Sequence, residues 1–146
     1  MRPLLTSLLV VSLFVLTGCS NKNQPSDSDI SKMSTHFFNE QFTGLFTVTN
    51  MIKENGYKQN ETHYVAEMNI TARAERSFDE YARNLIKDPK LSALERMTSG
   101  MAIGLLKMTL PDFVAGDELK FKRDYLFIKT DKGWLLKKEL GDEATH

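Results

Sequence analysis

Cysteine and histidine are the residues of this chain best suited to nucleophilic or metal chemistry, and their spacing supports little of either. Cys19 is the only thiol in 146 residues, and histidines stand at 36, 63 and 146. None of His36, His63 and His146 has a second ligand at the spacing of H-x-x-x-H, so a zinc site would need carboxylates drawn from scattered positions. No metal and no cofactor is expected. Glu67, Arg73 and Glu75 share one parity of a strand-like run and could serve as base, anion clamp and acid. Charge pairing along or across a sheet face accounts for the same three residues more simply, so none is assigned a catalytic role. His63 shares that parity and is expected at the surface. The chain contains no phosphate-binding loop, dinucleotide fingerprint or nucleophile elbow. Its 19 basic residues are balanced by 19 acidic ones. That removes the basic excess on which nucleic-acid binding depends, and no nucleic-acid partner is expected.

The flanks of Cys19 give it a different chemistry. Met1-Arg2 opens the chain with a positive charge, and residues 4–16, LLTSLLVVSLFVL, are apolar but for Thr6, Ser7 and Ser12. No acidic residue occurs before Asp27. The apolar run is shorter than the roughly 20 residues that span a bilayer core, and a positive start, a short apolar run and small residues before a cut describe a secretory signal peptide. Such a peptide ordinarily ends in an A-x-A-like pair, whereas this one ends Leu16-Thr17-Gly18 and then Cys19.

The four residues resemble the lipobox of bacterial lipoproteins: an aliphatic residue, a small or medium one, then Gly, Ala or Ser, then cysteine. All four places fit. The resemblance implies cleavage between Gly18 and Cys19, a diacylglycerol in thioether linkage on the Cys19 sulfur, and an acyl group on the new amino terminus. One acyl chain binds a membrane only marginally, whereas two or three, at about 0.8 kcal/mol per buried methylene, hold it stably. The membrane is therefore the first expected partner. Ser20 and Asn21 follow the cysteine in place of the aspartate that retains such proteins at the inner membrane. That implies the outer membrane, facing the periplasm, where the cell has two. The resemblance covers the export segment and the cysteine, and residues 29–146 carry no family motif.

Three parts are expected: a cleaved signal peptide over 1–18, a lipidated Cys19 with a polar tether over 19–28, and one domain over 29–146. The tether, SNKNQPSDSD with its last residue at 29, holds no large apolar side chain and reaches at most about 35 Å. The mature chain has no pair of thiols for a disulfide, so the domain must be held by its core.

The elements follow from periodicity. Ile30, Met33 and Phe37 recur at helical spacing, which predicts a helix over 29–40 with Asp29 as its N-cap. Residues 42–53 are rich in Phe, Val, Thr and Ile and precede Asn55-Gly56, which predicts a strand and a turn. Over 62–75, Tyr64, Ala66, Met68, Ile70, Ala72 and Ala74 hold one parity. Polar residues hold the other, Val65 excepted, so the run predicts a strand with one wet face. Ser77 and Glu80 form a capping-box pattern ahead of a helix that ends before Pro89. A second helical pattern runs through Leu91, Leu94, Met97, Met101, Leu105 and Met108 to Pro111. Leu119, Phe121, Tyr125 and Phe127 then share a face of a strand over 118–130, and Asp131-Lys132-Gly133 turns into a last strand. The order predicts an α+β domain: an antiparallel sheet of about four strands in two hairpins, with two to three helices packed on one face.

Two features suit binding. Gly100 and Gly104 have the spacing that lets helices approach closely, and packing of this helix on the sheet or on its neighbour is expected from them ahead of self-association. Met97, Met101 and Met108 could line an adaptable surface, although burial in the core is the simpler expectation for all three. The lysines of the last hairpin fit a solvated strand face. The function expected from these features is that of a lipid-anchored envelope protein whose domain binds an envelope protein or a small ligand without catalysis. The alternatives are a periplasmic or cell-wall enzyme working through scattered carboxylates, and a structural or inhibitory docking protein.

Overall fold

The computed structural model describes residues 23–141. The signal peptide, the lipobox with Cys19, the first residues of the tether and His146 lie outside the described residues. Within them the chain runs α1 (Asp27–Gln41), β1 (Phe46–Asn60), β2 (His63–Ala74), α2 (Phe78–Ile86), α3 (Ala93–Thr109), β3 (Glu118–Thr130) and β4 (Gly133–Leu140). The four strands form one antiparallel sheet in the order β1-β2-β3-β4. This is the α+β fold expected, with two hairpins joined by the α2–α3 helical pair.

α1 begins two residues before its expected start, because Ser26 caps it and not Asp29. The Ser26 hydroxyl accepts from the Asp29 amide at 3.1 Å and donates to the Asp29 carboxylate at 2.7 Å. Asp29 is the third helical residue, the place of the acidic partner in a capping box. Ile30, Ser34 and Phe38, at i, i+4 and i+8, are fully buried. The Lys53 ammonium pairs with Asp27, tying the start of α1 to β1. Near the other end, Asn39 Oδ1 accepts the Val48 amide of this edge strand at 2.9 Å. Aromatic rings fill the space between α1 and the inner strands: Phe37 stands edge-on to Tyr125 at 5.5 Å, and Phe38 lies 5.2 Å from Phe121.

β2 keeps the parity read from its sequence, with Tyr64, Ala66, Met68, Ile70, Ala72 and Ala74 all buried. β1 does not end at Asn55-Gly56. It continues to Asn60, and the hairpin turns through Glu61-Thr62. Asn60 Oδ1 holds that turn, accepting the Thr62 amide at 2.9 Å and the Thr62 hydroxyl at 3.0 Å. Gly56 instead serves a close approach, since a Cβ there would lie 2.1 Å from the Tyr64 hydroxyl. Glycine lets the Tyr64 ring lie across the neighbouring strand. Irregularities at Thr49, Glu54 and Gln59 shift the register of β1 three times, and another follows in β4 at Lys137. Such bulges add twist and bend a strand. They let the sheet curl about α1, which approaches both edge strands.

The second hairpin has the expected limits. Its Gly133 has φ +116°, a conformation for the tight turn that other residues resist. Ser77 caps α2 by accepting the Glu80 amide at 3.3 Å. The fully reciprocal capping box belongs to α3, where Ser92 and Glu95 satisfy each other's amides at 3.2 and 2.7 Å. α2 and α3 are tied by Lys107, whose ammonium meets Asp79 at 3.1 Å and stands over the Phe78 ring at 5.4 Å.

Candidate functional site

The expected burial of the three methionines is corrected by the structure. α3 turns Ile103 and, in part, Leu106 toward the domain, while Met97, Met101 and Met108 are 60, 72 and 85% exposed. Leu94 and Leu105 join them at 68 and 66%. Nothing lies within 4 Å of a Cβ built on Gly100 or Gly104, so neither glycine brings α3 against α2 or the sheet. α3 is apolar on two sides, and only one of them finds a partner among the described residues.

Beneath the docked side of α3 runs a cleft of about 870 Å³, between the helical pair and the sheet. Its apolar lining comes from Phe42, Met68, Leu85, Ile103 and Leu106. A second depression of about 610 Å³ adjoins it near Phe113 and Pro111 and shares Phe42, Leu106, Lys122 and Arg123. Polar groups gather along the cleft: Lys122 and Arg123 with the carboxylates of Glu54, Glu67, Asp124 and Glu139.

Arg123 is the residue that sequence reasoning missed. It interrupts the apolar parity of β3, between Phe121 and Tyr125, and that interruption is the signal by which it could have been found. Its register partner is the buried Met68. Its guanidinium rests over the Phe121 ring at 5.4 Å, and its Nε lies 2.8 Å from Glu139 Oε1. That contact is an ion pair without an aligned hydrogen bond, because the buried Nε–H has no acceptor in line. One terminal nitrogen donates to the Lys122 carbonyl at 2.8 Å. Glu54 is engaged twice, by Asn69 at 3.0 Å and by the Lys122 ammonium at 3.5 Å.

Glu67 and Asp124 stand opposite one another across β2 and β3, and among the described residues neither forms an ion pair. Like charges placed opposite each other cost stability unless a counter-charge joins them. The cleft therefore has an apolar floor and one preformed ion pair at its centre, while Glu67 and Asp124 hold the opposite strand parity from Met68 and Arg123.

The structure does not bring Glu67, Arg73 and Glu75 together. Arg73 and Glu75 make a loose pair at 3.9 Å. Glu67 lies six residues back along β2, about 20 Å away at the rise of a strand. His63 belongs to the hairpin turn, with Nδ1 3.0 Å from Asn60 Oδ1 and 2.9 Å from the Thr62 hydroxyl. His36 faces Glu40 one turn along α1 at 3.2 Å. Among the described residues no group of three or more His, Cys, Asp or Glu is placed to hold a metal ion, and no helix is long and apolar enough to cross a membrane.

Shifted titrations lie away from the cleft lining. Burial, with the nearby Glu139 charge, pushes the Tyr125 phenol well above its usual range. The hydrogen bond to Asp27 raises Lys53, and the Ser92 amide lowers Glu95. Comparison with known proteins adds no further constraint: no family model, no curated protein and no solved structure matches the chain.

Proposed function

We propose that this chain is a lipid-anchored envelope lipoprotein whose domain is a binding module, taking a small amphipathic ligand into the cleft between α3 and the sheet. The cleft carries this reading. Its volume of about 870 Å³ lies within the range of small-ligand sites, and its lining divides between apolar side chains and charged ones, as an amphipathic ligand requires. Phe42, Met68, Ile103 and Leu106 suit an apolar body, and the Glu139 carboxylate, which Arg123 meets without an aligned hydrogen bond, suits a cationic or hydrogen-bond-donating end. Binding without catalysis agrees with the state of the polar groups, since Arg123 is paired with Glu139 and Lys122 with Glu54. The lipobox supplies the anchor in this proposal. Acylation at Cys19 places the domain on a membrane, the outer one facing the periplasm where there are two.

Native mass spectrometry of the full chain extracted from membranes tests both halves. The expected species begins at Cys19 with the mass of a diacylglycerol and an acyl group, and carries a non-covalent amphiphile that Ile103→Arg removes. Cys19→Ala should leave the chain unacylated and release it from the membrane fraction. An unmodified Cys19 refutes the anchor, and a chain with no adduct before or after the Ile103 change refutes the ligand.

A further inference from the structure

The outward face of α3 needs a partner for reasons independent of the cleft and the anchor. At 100° per residue, Leu94, Met97, Met101, Leu105 and Met108 fall within a narrow stripe, diametrically opposite Ile103. The helix has three charged residues, Glu95, Arg96 and Lys107, and all lie more than a quarter turn from the centre line of that stripe. Ala93, Thr98, Gly100, Gly104 and Thr109 complete an arc without charge. A helix apolar on opposite sides is one that is covered on both.

We propose that the second cover is another copy of this chain, packed with α3 antiparallel to α3 about a two-fold axis at Met101. The five side chains are spaced 3, 4, 4 and 3 residues apart, and this order reads the same in both directions. An antiparallel pair centred on Met101 therefore sets Leu94 against Met108 of the second copy, Met97 against its Leu105, and Met101 against its Met101. Self-complementarity of this kind is what a two-fold interface requires. Gly100 and Gly104 line one flank with open space above their Cα atoms, leaving room for Met97 and Met101 of the second copy. At roughly 100 Å² for each side chain, the stripe offers roughly 500 Å² per copy and 1,000 Å² per pair, the lower bound for a specific interface. A membrane surface fits the face less well. Helices that lie in headgroups carry Lys and Arg along the rim of the apolar face, whereas here the rim is uncharged and Lys107 is held by Asp79.

Photo-crosslinking in intact cells tests this with the full chain. p-Benzoylphenylalanine is placed at position 101, at 94, or at 132 in the exposed β3–β4 turn as a control. The expected product at 101 and 94 is a covalent dimer of the chain, with the 94 adduct mapping to the peptide around Met108 of the other copy. Position 132 should give none. Met101→Asp, introduced with the probe at 94, should lower the dimer yield about tenfold or more by placing a charge against apolar surface. The far-UV circular dichroism of the variant should match that of the unchanged chain, because residue 101 is 72% exposed within one copy and the domain folds without it. A lipid adduct, an adduct to a different protein or no adduct at 101 overturns the proposal. A 94 adduct that maps to residue 94 of the other copy overturns the antiparallel arrangement.

Discussion

Gly56→Ala tests how β1 and β2 are fitted together. An alanine Cβ at 56 would lie 2.1 Å from Tyr64 Oη and 2.7 Å from Cζ, both nearer than real Cβ contacts come. The ring cannot swing freely away, since Tyr64 is 4% exposed and meets the Trp134 ring edge-on at 6.5 Å. Forcing an extra methyl into such a place costs about 1–3 kcal/mol. At about 4 °C per kcal/mol for a domain of this size, the melting temperature should fall by about 4–12 °C. Thermal and urea unfolding followed by far-UV circular dichroism give the global loss. The fluorescence of Trp134, the only tryptophan, reports the local shift. The deciding measurement is the same substitution on a Tyr64→Leu background. With the ring gone the clash is gone, and alanine in a strand interior gains about 0.5–1 kcal/mol over glycine, so the sign of the effect should reverse. Equal destabilisation on both backgrounds would falsify the close-approach account of Gly56.

Two buried hydroxyls without partners lead to stabilising substitutions. Ser34 and Tyr125 are fully buried, and neither hydroxyl meets an acceptor or donor within the described residues. Ser34→Ala and Tyr125→Phe should each leave urea-unfolding stability unchanged or raise it by up to about 1–2 kcal/mol; a clear loss from either shows that its hydroxyl has a partner. Tyr125→Phe should also change the alkaline behaviour. The folded phenol titrates above its unfolded value of 10.0, so stability present below pH 10 is lost as pH rises past it, and the variant should lose less between pH 9 and 11. At the start of α3, Ser92→Ala should cost about 1 kcal/mol through the lost cap. Glu95 is held low first by the Ser92 amide and then by the Ser92 side chain; the same change removes only the second, so a carboxyl NMR titration should show Glu95 rising part of the way toward its ordinary pKa. That contribution is present above the unfolded carboxylate pKa and fades as pH falls through the folded one. An unmoved Glu95 removes the Ser92 hydroxyl as a cause and leaves the amide alone.

Legibility in the sequence followed regularity of the backbone. β2 and β3 pair without a break over eleven register positions, and the parity of each was plain from its residues alone. β1 was read short because its three register shifts scramble the alternation every five residues or so, and because Asn55-Gly56 has the chemistry of a turn. Glycine there answers a steric demand from Tyr64, which is nonlocal and leaves no mark near residue 56. The true turn at Glu61-Thr62 has no glycine and depends on the Asn60 side chain. Asp29 reads as a cap in the sequence because the residue that does cap, Ser26, lies in a polar stretch that contains no apolar residue to mark a helix start.

Arg123 and α3 show two opposite limits of the same pattern. On β3 a single charge in an apolar parity was visible, and the side chain turned out to mark the cleft, since a buried strand face tolerates an arginine only where an ion partner and an aromatic ring support it. On α3 the stripe of Leu94, Met97, Met101, Leu105 and Met108 was the more regular of the two apolar rows, and regularity argued for the core. The row that docks is the less conspicuous one, through Ile103, Leu106 and Leu110. Periodicity reports that a face is apolar and says nothing of what covers it. The covering surface must match in shape and spacing, and within the described residues α3 packs chiefly on α2. A stripe that reads identically from either end matches its own copy in spacing, which a curled sheet does not, and the more regular of the two apolar rows of α3 is the one left outside the fold.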